Sequence, residues 1–211
     1  MPASAIRKLV PLADAAKKQG TKVYHLNIGQ PDIKSPKCAL DAIKNFSLEN
    51  VSYSHSAGLM DLRKGLVEKY YKKIGIDITV DELIVTVAGS ESVNLALEIA
   101  CNPGDEVIVL EPFYTNYNTF AFMNGLTLKA ISTDIRNGFQ VPPIEEFEKA
   151  ITDKTKAILV CNPGNPTGTL YSKESMLALG EIARKHDLFL LSDELYREFC
   201  YTDEPHFSAM N

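Results

Sequence analysis

Between residues 83 and 192 the sequence alternates short apolar runs with segments of helical periodicity, and this alternation constrains the fold more than any other feature. Residues 83–87 form a nearly continuous apolar run, which is typical of a strand buried on both faces of a sheet. Further strands are predicted at 106–110, 126–131, 156–161 and 188–192. Helical patterns at 91–101, 115–123, 144–151 and 172–186 separate them. The spacing predicts an α/β fold with a mainly parallel sheet sandwiched by helices.

The first 80 residues are less regular. Apolar spacing predicts helices at 6–18, 36–46 and 59–73, and a weak alternation at 22–28 predicts a short strand or extended segment. For the second helix we expect Ser35 as the cap and Pro36 at the first helical position.

Composition excludes several classes of function. Of the 211 residues 45% are hydrophobic and 23% charged, which is ordinary for a globular chain. The net charge of −5 argues against nucleic acid and anionic membranes as partners. Four cysteines and four histidines lie without metal-site spacing, so no metal site is predicted, and the thiols are expected to be reduced. No signal peptide and no apolar run of about 20 residues is visible, so we expect a cytoplasmic protein.

Residues with binding potential follow four of the predicted strands. Gly89, Ser90 and Glu91 open a helix, where backbone N–H groups and the helix dipole favour an anion. An aromatic pair ends at Tyr114, the loop 162–168 contains Asn165, and Asp193 ends the last strand. Ligands of parallel sheets bind at the carboxyl ends of the strands, so these groups are expected to lie together.

Each of these features also has a structural interpretation, as a cap, a core aromatic pair or a turn. Together they suit a flat, phosphorylated, nitrogen-containing ring. A nicotinamide dinucleotide fits less well, since no G-x-G-x-x-G follows a strand, and a Walker-type loop is also absent from the sequence.

The motifs resemble those of the class I/II aminotransferases, the aspartate-aminotransferase-like group of fold-type I pyridoxal-phosphate enzymes. The most specific are NPGNPTG at 162–168 and SDELY at 192–196. Four others support them: NIGQPD at 27–32, YSHSAGLMDLR at 53–63, VTVAGSESVNLAL at 85–97 and NPGDEVIVLEPFYTNY at 102–117.

The resemblance implies a role for each site residue. Gly89, Ser90 and Glu91 would hold the phosphate of pyridoxal 5′-phosphate through backbone and side-chain donors, and Tyr114 would stack on its pyridine ring. Asp193 would pair with the ring nitrogen and keep it protonated, which makes the ring a better electron sink.

Further roles follow from the same resemblance. Asn165 and Tyr196 would donate to the phenolic oxygen of the cofactor. Asn165 and Gly29 would lie at the substrate carboxylate, and Tyr53 of the partner subunit would reach the phosphate, which implies a homodimer.

The resemblance also implies an incomplete chain. The family's Schiff-base lysine is expected beyond Asn211, so no catalytic residue is assigned here, and two substrate- or phosphate-binding arginines are expected there too. Residues 1–45 would form an N-terminal segment and part of a small domain, and 46–211 a truncated cofactor-binding large domain. The missing strands would lie between 83–87 and 188–192, so we expect a gap in the sheet and an unstable fold for the 211 residues alone.

The expected activity is transfer of an amino group between an amino acid and a 2-oxo acid, with aspartate or glutamate and 2-oxoglutarate as the default pair. The alternatives are another fold-type I activity, such as a β-lyase or synthase, and a non-catalytic cofactor-binding module or fragment. The effector domain of a transcription regulator is disfavoured, because nothing before Ile6 can form a DNA-binding segment.

Overall fold

A four-stranded, entirely parallel sheet organises the second half of the chain. The structure, a computed structural model, describes residues 7–211. The strand order is β2-β1-β3-β4, in which β1 is Glu106–Glu111, β2 is Thr127–Ser132, β3 is Thr155–Cys161 and β4 is Phe189–Asp193. The predicted parallel α/β sheet is therefore confirmed.

Seven α-helices accompany the sheet within the described residues. They are α1 Val10–Lys18, α2 Lys37–Lys44, α3 Met60–Lys69, α4 Gly89–Ala100, α5 Asn116–Met123, α6 Ile144–Ala150 and α7 Lys173–Lys185. Short 3₁₀ helices occur at Arg7–Leu9, Tyr71–Ile74, Val80–Glu82 and Ile135–Asn137.

The central strands β1 and β3 are largely buried, whereas β2 and β4 at the edges are mostly half-buried or exposed. One face of β1 and β3, including Ile108 and Ile158, packs against α6 and α7 through Phe147 and Leu179. The other face packs against α4 and α5. Side chains alternate between the faces of a strand, so a continuous apolar run supplies both halves of a three-layer core.

The predicted strand at 83–87 is not present. This segment forms no ladder, and its Val85 N–H donates to Ala57 O at 3.0 Å. Ile84 and Val87 are exposed, whereas Leu83 is buried. The physical reason is the absence of a neighbouring strand within residues 7–211, because an apolar run becomes a strand only when another strand satisfies its backbone groups. With no strand on the other side of β4, the sheet has no gap in its middle, and β4, paired only with β3 in the described part of the chain, is the expected edge strand.

The N-terminal predictions need three corrections. Helix α2 begins at Lys37 with Pro36 as its N-cap, so Ser35 does not cap it. The predicted helix 59–73 is interrupted at Tyr70, whose φ of −114° departs from helical geometry, and a separate 3₁₀ turn follows. Residues 22–28 form no strand, because no segment of residues 7–211 pairs with them, and Leu26 is almost fully exposed. Ile6, the predicted start of the first helix, lies outside the described residues.

Two features are absent from residues 7–211. None of the helices there combines the length and apolar character needed to cross a membrane. The same residues contain no group of three or more His, Cys, Asp or Glu side chains arranged to hold a metal ion.

Candidate functional site

An open cavity of about 580 Å³ lies between α4 and β4, beside the unpaired edge of the sheet. Its walls include Gly89 and Ser92 at the start of α4, and Asp193, Leu195 and Arg197 at and after the end of β4. The start of α4 and the loop after β4 are in close proximity, since a Cβ added to Gly89 would lie 3.7 Å from Leu195 Cδ1. Two of the predicted site residues, Gly89 and Asp193, therefore line one cavity.

The N-terminus of α4 offers free hydrogen-bond donors. Ala88, its N-cap, makes no side-chain cap, and within residues 7–211 the N–H groups of Gly89 and Ser90 have no acceptor. The Glu91 carboxylate accepts the Val87 N–H at 2.6 Å, and the Glu91 N–H donates to Ala88 O at 3.0 Å. The available donors for an anion are thus those of Gly89 and Ser90, with the helix dipole behind them.

The Asp193 carboxylate is held through both oxygens. Oδ2 accepts the hydroxyl of Tyr117 at 2.8 Å, and Oδ1 accepts the N–H of Leu195 at 3.2 Å. A carboxylate held in this way presents a fixed direction to a cationic partner, because neither oxygen is free to rotate away.

Tyr117 was not predicted as a site residue, although it lies in a predicted helix and is the last residue of the motif at 102–117. Its ring stacks on Phe113 with centroids 6.2 Å apart and meets Tyr114 edge-on at 5.6 Å. The Tyr114 hydroxyl accepts from Asn116 Nδ2 at 2.7 Å. The Tyr117 side chain therefore contacts both the predicted aromatic pair, Phe113 and Tyr114, and the predicted acid, Asp193. The only sequence signal was a third aromatic one helical turn after Tyr114.

The two asparagines of the loop 162–168 differ in burial and in hydrogen-bond partners. Asn162 is fully buried; its N–H donates to Asp193 O and its Oδ1 accepts the Tyr171 N–H. It holds the loop to the sheet. Asn165 is half-buried, and its Nδ2 donates to the Tyr196 hydroxyl at 3.2 Å. The two residues predicted to reach the same cofactor oxygen are therefore adjacent.

Glu194 anchors the segment that follows β4. Its carboxylate accepts the Ser208 hydroxyl at 2.9 Å and the Ala209 N–H at 2.9 Å, and it lies 3.5 Å from Arg197. This role is structural. It was not predicted from the sequence, because the contact between Ser208 and Glu194 depends on how the chain folds back after β4.

Two predicted site residues lie apart from this group. Tyr53 is fully exposed, and a Cβ added to Gly29 would meet no atom within 4 Å. Their predicted contacts are with a partner subunit and a substrate, so this chain alone does not bring them to the cavity.

Fold and site together define a three-layer α/β protein with donors for an anion at the start of α4 and an acid at the end of β4. Comparisons with known proteins identify the family. The family model for aminotransferases of class I and II matches residues 21–210, so the chain belongs to that family.

Similar proteins include the aspartate/prephenate aminotransferase of Thermus thermophilus, 37% identical over 193 residues, which are 91% of this chain and 50% of that protein. A solved aspartate aminotransferase from Thermotoga maritima is 32% identical with a TM-score of 0.90, covering 99% of this chain and 56% of that one. An alanine aminotransferase structure from Pyrococcus furiosus is 36% identical with a TM-score of 0.88, covering 98% and 53%. The chain spans about half the length of these relatives.

The cofactor of this family is pyridoxal 5′-phosphate, and the donor set fits it. Gly89 and Ser90 have free N–H groups suited to a phosphate, Asp193 is an oriented carboxylate suited to a ring nitrogen, and Asn165 and Tyr196 are paired donors suited to a phenolic oxygen.

Proposed function

We propose that this chain is the cofactor-binding part of a pyridoxal-phosphate-dependent aminotransferase that moves an amino group between an amino acid and a 2-oxo acid. The observation that carries the proposal is the oriented Asp193 carboxylate, on the same cavity as the free N–H group of Gly89. A carboxylate and an anion site on one cavity suit a ligand with a basic ring nitrogen at one end and a phosphate at the other.

Each proposed role follows from the chemistry of the side chain. Asp193 would hold a proton on the ring nitrogen by accepting a charged hydrogen bond from it. Gly89 and Ser90 would bind the phosphate by their N–H groups. Glu91, whose carboxylate accepts the Val87 N–H, would hold the end of the helix that binds the phosphate. Asn165 and Tyr196 would donate to the phenolic oxygen, and Tyr114 would cover one face of the ring.

When bound, the cofactor supplies an electron-poor ring that accepts the electron pair left on the substrate's α-carbon. The side chains described above bind and orient it. The lining of the cavity, within the described residues, includes Arg197 but no lysine. We therefore assign the covalent attachment of the cofactor and the proton transfer at the α-carbon to no residue of this chain.

The domain and subunit assignments are proposals of the same kind. No side chain in residues 8–60 is buried, whereas both core clusters lie within 93–183. This difference supports a cofactor-binding domain over 46–211 and a separate role for 1–45. The exposed apolar side chains of the N-terminal part, among them Leu26, Val51 and Tyr53, support a homodimer in which Tyr53 reaches the phosphate site of the partner subunit. Cross-linking of the native protein would test this, and a monomer would contradict it.

Amino-group transfer is the direct test. We expect the native protein, loaded with pyridoxal 5′-phosphate, to transfer ¹⁵N from labelled aspartate to 2-oxoglutarate. Mass spectrometry measures the labelled glutamate that forms. The variant Asp193→Asn removes the charge and should lower the rate at least 100-fold, in line with the loss of an electrostatic group at a reacting centre. Release of free ammonia without labelled glutamate would contradict transfer and indicate a lyase.

A further inference from the structure

We propose that Tyr117 is a positioning residue that fixes the Asp193 carboxylate against the ring nitrogen of the cofactor. The inference rests on the proposed function and adds to it a residue that none of the family motifs assigned to the site. The evidence is that Tyr117 contacts both Asp193 and the aromatic pair Phe113 and Tyr114.

The hydroxyl of Tyr117 makes a directed hydrogen bond out of the core. The side chain is 1% exposed, and its Oη donates to Asp193 Oδ2 at 2.8 Å. Since Oδ1 of the same carboxylate already accepts the Leu195 N–H, the Tyr117 bond removes the remaining rotational freedom of Asp193. A bond to an ionised group is also stronger than one between neutral groups.

The ring of Tyr117 is itself rigidly held. It stacks nearly parallel to Phe113, with planes 10° apart, and meets Tyr114 edge-on with planes at 87°. Phe113 and Tyr114 follow β1, whereas Asp193 ends β4, and β3 separates these two strands. Tyr117 therefore couples the proposed stacking residue to the proposed acid across the sheet.

The direction of the hydrogen bond is set by the surroundings. Burial raises the pKa of Tyr117 far above its ordinary value, and the nearby Cys161 and Asp193 raise it further. The phenol therefore stays protonated at neutral pH, and in this pair it is the donor while Asp193 is the acceptor.

The test compares two ligands in the native protein: pyridoxal 5′-phosphate and its analogue with carbon in place of the ring nitrogen. For Tyr117→Phe, which keeps the ring and removes only the hydroxyl, we expect affinity for the cofactor to fall roughly tenfold. Affinity for the analogue should change less than about twofold, because it has no nitrogen for Asp193 to hold. In the Asp193→Asn background Tyr117→Phe should have no such selective effect.

The matched control is Tyr171→Phe. Tyr171 is also buried, but its hydroxyl makes no hydrogen bond to any residue in 7–211, so this variant should bind both ligands as the unaltered protein does. Circular dichroism melts establish that each variant is folded. Equal losses for both ligands, or no loss for either, would overturn the role of Tyr117 alone. An unaltered protein that binds neither ligand would overturn the proposed function as well.

Discussion

Cys161 is a buried thiol at the end of β3, beneath the proposed site. Its Sγ donates to Pro163 O at 3.3 Å. Burial, with a contribution from the Asp193 charge, raises the pKa of Cys161 to about 11, from an ordinary 9.0. The thiol is therefore protonated at neutral pH, and we assign it no part in the proposed chemistry.

This raised pKa predicts a loss of stability in alkali. Between pH 9 and 11 the unfolded chain loses the Cys161 proton while the folded chain retains it. Unfolding then releases a proton, and the free energy of unfolding falls as the pH rises through this window. A shift of this size corresponds to at most about 2–3 kcal/mol. Urea unfolding of the native protein at pH 8.5 and pH 10.5 measures the fall.

The variant Cys161→Ala isolates the contribution of this thiol. Buried tyrosines such as Tyr171, whose pKa burial raises to about 12, add to the alkaline loss in both proteins. The variant should therefore lose less stability over the same pH interval, whatever its starting stability. An identical fall in both proteins would show that Cys161 does not contribute.

At the scale of elements, the loop 162–168 is fixed by its own backbone. The Gly164 N–H donates to Thr169 O, and the Gly168 N–H donates to Gly164 O, both at 2.8 Å. A Cβ on Gly164 would lie 2.6 Å from Thr167 Oγ1, which accepts the Thr169 N–H. Gly164 is therefore required by a close approach within the loop that positions Asn165.

We expect Gly164→Ala to destabilise the protein by about 1–3 kcal/mol, because Thr167 must move and lose its hydrogen bond. The control is Gly180→Ala within α7, where an added Cβ meets nothing within 4 Å. Alanine there should be neutral or stabilise by up to about 1 kcal/mol, since it lowers the entropy of the unfolded chain. Urea midpoints decide, and equal midpoints for the two variants would contradict this account.

At the scale of the whole molecule, the open side of β4 is the main structural liability. Within residues 7–211 the strand pairs on one side only, and Phe189 is 56% exposed at its start. Unpaired backbone groups beside apolar side chains are a template for another strand. The proposed ligand site, the cavity between α4 and β4, therefore lies beside this unpaired edge.

We expect this 211-residue chain, when isolated, to self-associate through that edge. Phe189→Lys should reduce the concentration-dependent increase in sedimentation coefficient, because a charge on an edge strand opposes pairing. The control Ile135→Lys removes a side chain of similar exposure from a 3₁₀ turn away from the edge. An equal effect of both substitutions would indicate general surface hydrophobicity in place of strand pairing.

The parallel α/β order could be predicted from the sequence because strand-like segments alternate with helical ones along the chain. Residues 157–161 are apolar at every position, and such a run is typical of a strand with helices on both faces. Asp193 and Asn165 were predicted as site residues for a related reason, since groups at the carboxyl ends of parallel strands lie along one edge of the sheet.

Tertiary structure alone decided the remaining features. Residues 83–87 have the composition of a strand but no partner, and Asn162 and Asn165, alike in sequence, differ because only one is enclosed. Tyr117 acquired its contact with Asp193, 76 positions away, from the packing of α5 on the sheet. Sequence determines which residues seek burial and which can donate or accept, whereas the neighbours that satisfy them are set by segments distant along the chain.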